Sequence, residues 1–393
     1  MSNPFFETWQ TPFNMPPFET IQDHHFEAAF EQGFSEHWTE IEAIANNPTP
    51  PSFDNTLVAL EASGQLLTKT ADVFFNLVST DTNEALQAIE EAVSVQWSNH
   101  NSNLYNHLGL FQRIKTLFLD LPNLGLQPDQ QLLLETLYND FVRGGVELTA
   151  PARQQIREIN EQLATLETRF GHNVLAETNQ FELVLTRDDD LRGLPESVLA
   201  AARNEAAQRG HPEGHYAFSI SRSSFTPFMQ FADNRALRET LFEAYTRCGD
   251  LDNAADNKAL AVEIAELRHR RAQIKGFASH AHYMLEDRMA GHPSQVHQLL
   301  DQVWQPAQKK AQQEAADLQA RIRQEGQNFE LAPWDWWYYT EKLRAERFDL
   351  NETETKPYFA LEQVRDGAFE VARALFGITF KPAPALPTYH PDV

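Results

Sequence analysis

A single cysteine, Cys248, stands among 393 residues. One thiol excludes an intramolecular disulfide and any cysteine-based zinc knuckle, and it fits a reducing compartment. Long apolar runs are missing too: no stretch of about 18 apolar residues is present to span a bilayer. The opening MSNPFFETWQ lacks the basic segment and apolar stretch of a secretory leader. No membrane association is expected, and the expected location is cytoplasmic. Positive charge is scarce, with 32 Lys and Arg against 56 Asp and Glu and a formal net charge of -24. Such a surface repels phosphate. The one local basic cluster, Arg268, Arg270 and Arg271, falls inside a helical pattern, so no nucleic acid is expected as a partner.

Apolar residues are plentiful. They make up 42% of the chain, with 27 phenylalanines, enough surface to offset the entropy of ordering. They recur at spacings of three and four, which is the helical period. Leu57, Leu60, Gly64, Leu67, Ala71, Phe74 and Val78 predict one helix, with Asn55 as its cap. Ile156, Ile159, Leu163, Leu166 and Phe170 predict a second, opened by Thr149 with Pro151 in its first turn. A third opens at Ser294, carries Val296, Leu299, Val303, Leu318 and Ile322, is kinked by Pro306, and stops at Gly326. Between residues 181 and 231 the texture changes. Phe181-Glu-Leu-Val-Leu185 and Tyr216-Ala-Phe-Ser-Ile220 read as short strands of a small sheet, with a helix starting near Pro195 between them. Boundaries are suggested at 47–51, near Gly144 and Gly145, and in the strand-containing interval. The seven tryptophans fall irregularly, which disfavours a repeat array.

Candidate chemistry is sparse. A zincin needs two histidines one helical turn apart with a glutamate between them as base, and none of the 14 histidines is followed by Glu. His211 and His215 have the right separation, but Pro212 and Gly214 predict a loop and Glu213 sits at the wrong offset. His280, His282, Glu286 and Asp287 offer two ligands on one helix face at most, and the pair His24 and His25 offers no more. Ser219, Ser221, Ser223 and Ser224 lie in no nucleophile elbow. Cys248 reads as a small buried apolar residue. Aromatics concentrate in Pro333-Trp-Asp-Trp-Trp-Tyr-Tyr339, which suits either a core corner or the wall of a ligand groove. On a helix Trp334, Trp337 and Tyr338 would share one side, with Trp336 and Tyr339 away from it.

Taken in order, Asn47-Pro-x-x-Pro-x-Phe-Asp-Asn-Thr56 with Leu60-Glu61, Arg235-Ala-Leu-Arg-Glu239, Arg271 with Gly276-Phe277 and Ala281, Pro333-Trp-Asp-Trp336 with Tyr339, Lys356-Pro-Tyr-Phe359, Leu375-Phe-Gly-Ile378 and Tyr389-His-Pro-Asp-Val393 resemble the M3 zinc oligopeptidases along essentially the whole chain. Asn3-Pro-Phe and the Pro-Trp-Asp-Trp form look most like the dipeptidyl carboxypeptidases of that family, with the oligopeptidase A type as the near alternative.

The resemblance implies a mainly α, zincin-like and neurolysin-like fold: one multi-helix lobe of a two-lobed, channel-containing metallopeptidase, with one small β-sheet. Residues 1–145 would form an N-terminal helical region. Residues 146–393 would form a second, with the sheet near 181–231, leading into a zinc catalytic domain that these residues do not contain. It implies zinc as cofactor of the full-length enzyme and short unstructured peptides as substrates. The H-E-x-x-H helix and its later ligands correspond to positions beyond Val393, so no catalytic, cofactor-binding or metal residue is assigned here, and the chain alone is expected to be inactive, zinc-free and monomeric. A helical peptide-binding scaffold without catalysis is the non-enzyme alternative.

Overall fold

A computed structural model describes residues 3–348 and 355–393. The helical period is realised in α1 (His24–Ala45), α2 (Ala59–Glu61), α3 (Gln65–Thr80), α4 (Glu84–Leu104), α5 (Leu108–Leu119), α6 (Pro128–Gly144) and α7 (Ala150–Gln180). It continues in α8 (Glu196–Gln208), α9 (Arg222–Phe231), α10 (Arg235–Thr246), α11 (Lys258–Ile274), α12 (His280–Leu285), α13 (Pro293–Gln324), α14 (Trp336–Phe348) and a helix over Leu361–Phe376. The one sheet among the described residues pairs β1 (Leu183–Leu185) with β2 (Tyr216–Phe218), antiparallel, with Val184 opposite Ala217. Both strands fall inside the runs expected for them, and α8 lies between them in sequence. The fold is mainly α, as the periodicity predicts.

Two compact units form, each discontinuous in sequence. One comprises residues 1–172, 259–292 and 383–393, the other 173–258 and 293–382. The expected division at 145/146 falls inside the first unit, because Val146 is buried in the same core as Ile114, Leu134 and Phe141.

In the first unit, α1, α3 and α4 close around Phe26, Phe30, Phe74, Leu86 and Val93. The α1–α3 approach depends on Gly33, where an added Cβ would lie 3.0 Å from Leu67 Cα. The helix expected through 57–78 is in fact broken. Residues Phe53–Val58 form a π-helical turn, and Gly64 at φ +70° ends the segment before α3 begins. Asn55 is not a simple cap: Ser52 caps the turn, accepting from Asn55 N at 3.1 Å, while Asn55 Oδ1 accepts from Ser52 N at 2.8 Å and from Arg113 Nη2 at 2.8 Å. The apolar spacing ran on across the break because both pieces contribute to buried cores, and the left-handed glycine, not the period, sets the helix end. Ile159 and Leu163 of α7 pack on Ile264 and Leu267 of α11.

In the second unit, Leu185, Phe218, Phe225, Phe228, Met229 and Leu241 form the core beside the sheet. Helix α13 is unbroken through Pro306 and is followed by Gly326 at φ +75°. Its expected apolar face is only partly used. Leu318 and Ile322 are buried, whereas Leu299 and Val303 are exposed, as are Leu361, Leu375 and Phe376.

Candidate functional site

The aromatic cluster is fixed from below by charge. Asn234 caps α10, accepting from Ala236 N and Leu237 N, and so places Arg235 and Arg238 on one face of its first turn. Asp335, fully buried at the end of the 3-10 turn Pro333–Asp335, receives both. Arg235 donates from Nε at 3.1 and 3.2 Å and from Nη2 at 3.0 Å, and Arg238 from Nη2 at 3.0 Å. The backbone N–H of Ala332 adds a bond at 3.0 Å. Arg238 spends its remaining donors on the carbonyls of Ala232 at 2.7 Å, Asp233 at 3.2 Å and Trp334 at 3.3 Å. A buried carboxylate held this way has its desolvation offset by charge-assisted bonds.

The clamp also organises the rings. Arg238 lies 4.1 Å from the centre of the Tyr338 ring and Lys342 lies 4.4 Å from it. The Tyr338 hydroxyl donates to Asp233 Oδ1 at 2.8 Å, and burial pushes its pKa up. Tyr338 and Tyr339 are both buried, which corrects the expectation that they face opposite environments. The α-helical period starts only at Trp336, after the 3-10 turn, and Trp334 falls before it, packed beside the Leu241 core.

Trp336 and Trp337 instead face a groove. With Gln230, Phe242, Thr340, Glu341 and Arg344 they line an open cavity of about 680 Å³. Trp337 packs edge-on to Phe225, centroids 5.6 Å apart, and lies 6.1 Å from Phe242. The cluster is thus core at its tyrosines and groove at two of its tryptophans. Sequence reasoning did not find Gln230, Phe242, Glu341 and Arg344. The only signal for Phe242 was its place one turn beyond Arg238 on α10.

The other singled-out residues are structural in their surroundings. His211 and His215 lie in a loop, rings 6.0 Å apart, with His211 Nε2 at 2.9 Å from Glu182 Oε2. His282 Nδ1 is 2.8 Å from Ser279 Oγ, and Glu286 and Asp287 both pair with Arg143. His25 Nδ1 accepts from Gln22 N at 3.0 Å. Ser224 Oγ accepts from Ser219 N at 3.1 Å, and Ser219 and Ser221 bond each other at 2.9 Å. Cys248 Sγ lies 3.7 Å from Thr178 Oγ1. Among the described residues no three His, Cys, Asp or Glu side chains gather as a metal would require. Zinc has no ligand set among those residues.

Residues 228–393, which include the clamp and the groove, match the model of peptidase family M3. Over all of its length the chain is 33% identical, across 392 residues, to dipeptidyl carboxypeptidase of Escherichia coli (strain K12). Residues 228–393 thus carry the M3 match, within a chain that is similar to M3 peptidases along its whole length. The chain is also 30% identical over 397 residues to oligopeptidase A of Salmonella typhimurium. Saccharolysin of Saccharomyces cerevisiae matches at 25% over 269 residues, 66% of the chain. The chain spans 57% of the length of the first of these relatives and 58% of the second.

Proposed function

We propose that this chain is the peptide-admitting part of a zinc peptidase that releases dipeptides from free C-termini. Its identity of 33% over the whole chain to a dipeptidyl carboxypeptidase carries the reading. The groove at Trp336 and Trp337 supports it: ring faces suit the side chains of an extended peptide, and Glu341 and Arg344 supply polar contacts at the rim. Because the described residues offer no zinc site, hydrolysis is assigned to groups supplied in addition to these 393 residues. The exposed Leu299, Val303, Leu361, Leu375 and Phe376 support a further polypeptide segment covering this unit. Short unstructured peptides are the proposed partners, and a cytoplasmic monomer the proposed state. No helix of the described residues is long and apolar enough to cross a membrane.

The test joins the chain in frame to the remaining segment of the Escherichia coli dipeptidyl carboxypeptidase. The fusion is expected to release dipeptides from a short peptide with a free C-terminus, to stop when zinc is chelated, and to leave the amidated peptide intact. Internal cleavage of the amidated peptide would overturn this reading in favour of the oligopeptidase A type, which the 30% identity to that relative favours next.

A further inference from the structure

A second cavity, of about 300 Å³, lies within the first unit and is lined in part by Arg271, Lys275, Asn160, Glu167 and Tyr283. Its chemistry is unlike that of the acidic surface. Arg271, in the last turn of α11, and Lys275, in the turn that follows it, present two cations to one small space. Neither has an ion-pair partner among the described residues. Arg271 donates from Nη1 to Asn160 Oδ1 at 2.9 Å, and its Nε is buried with no hydrogen-bond partner. Lys275 donates to the carbonyl of Arg143 and to the Tyr283 hydroxyl at 3.2 Å, both neutral acceptors. Glu167, the carboxylate at the lining, is bound to Arg268 through Nε at 3.1 Å and Nη2 at 2.7 Å. Arg143 is already paired with Glu286 and Asp287.

Two half-buried like charges side by side without a counter-ion are costly. An anion would relieve that cost. With Nη1 occupied by Asn160 and Nε enclosed, Nη2 is the Arg271 donor left for a ligand oxygen, and a carboxylate accepts a charge-assisted bond there. The cavity is small, about 300 Å³, which suits a compact carboxylate. We propose that this cavity is a binding site for a monocarboxylate, gripped by Arg271 through Nη2 and by the Lys275 ammonium. Burial, with Arg271 and Arg143 nearby, pushes Lys275 down to about 8, the direction expected of an ammonium that lacks a counter-charge. The site is separate from the aromatic groove and does not rest on the peptidase reading.

The ligand carboxylate could come from a free small acid or from the end of a peptide. Thermal unfolding of the full chain would be followed with acetate, trialanine or trialanine amide, against sodium chloride at matched ionic strength. A raised midpoint with acetate and trialanine is expected; a rise with trialanine alone would identify a peptide end as the source. No rise with either acid, or an equal rise with the amide, would overturn the proposal. Lys275→Met keeps length and apolar contact while removing the charge, and Arg271→Lys keeps charge while removing the fork. Each is expected to weaken the response about tenfold or more. An undiminished response in Lys275→Met, with circular dichroism unchanged, would overturn it even if Arg271→Lys fails to fold.

Discussion

Arg238 donates from Nη2 to Asp335 Oδ1 at 3.0 Å, and the two side chains are 1% and 0% exposed. They lie 97 residues apart in sequence, so this bond, with that of Arg235, ties α10 to the entry of α14 and sets the angle at which the tryptophans emerge. Asp335→Ala leaves two arginines facing one another without a counter-ion. The expected loss is about 3–5 kcal/mol, the usual cost of breaking a buried pair from one side. Denaturant unfolding measures it. A loss no larger than that of the surface variant Arg187→Ala would show that the clamp is not needed for stability.

The groove gives a second expectation, resting on the proposed function. Trp337→Ala should weaken binding of a short peptide about tenfold while leaving the unfolding midpoint near that of the parent, because one face of the ring is already open. Tryptophan fluorescence during peptide titration reads the affinity. Tyr338→Ala should instead unfold the region, since its ring sits between Arg238 and Lys342.

Acid stability should depend on a histidine pair. His100 Nε2 lies 2.9 Å from His37 Nδ1, and burial together with His37 pushes the pKa of His100 down to about 4. Its unfolded value is near 6.5, so the unfolded chain binds the proton first. Stability present above pH 6.5 should fall as pH drops through about 4, by about 3 kcal/mol in all. Thermal midpoints across pH 3.5–7.5 would show it, and His100→Phe should flatten that slope.

Lys258 holds three carboxylates at once, Asp250, Asp252 and Asp256, with the last two at 2.9 and 2.7 Å. Asp256 is lowered to about 2, chiefly by its side-chain bond to Lys258. Its contribution is therefore present above the ordinary carboxylate range and is lost as pH falls toward 2. Lys258→Met should loosen the turn by leaving the three acids to repel one another. Faster amide exchange across 250–257, more pronounced at low salt, is the expected readout. Unchanged exchange would count against the clamp.

The sequence by itself determined the helical class, the two strands, the helix starts at Thr149 and Pro195 and the stop before Gly326, because these rest on local period and cap chemistry that neighbouring residues decide. Its motifs also pointed to the family whose model matches residues 228–393. What it could not place was anything needing two distant segments at once. Val146 joined the first unit's core, Gly64 divided an apolar pattern that read as one helix, and Asp335 met two arginines about 100 residues away. Whether a tryptophan lines a groove or fills a core was likewise settled by tertiary packing. Helical spacing says which residues share a face, and only the partner element, here α9 and α10 against α14, says which face is covered. The same holds for Arg271 and Lys275: their spacing of four was legible, but that the lining carboxylate Glu167 is held by Arg268, leaving both cations without an ion pair among the described residues, is a property of the folded neighbourhood.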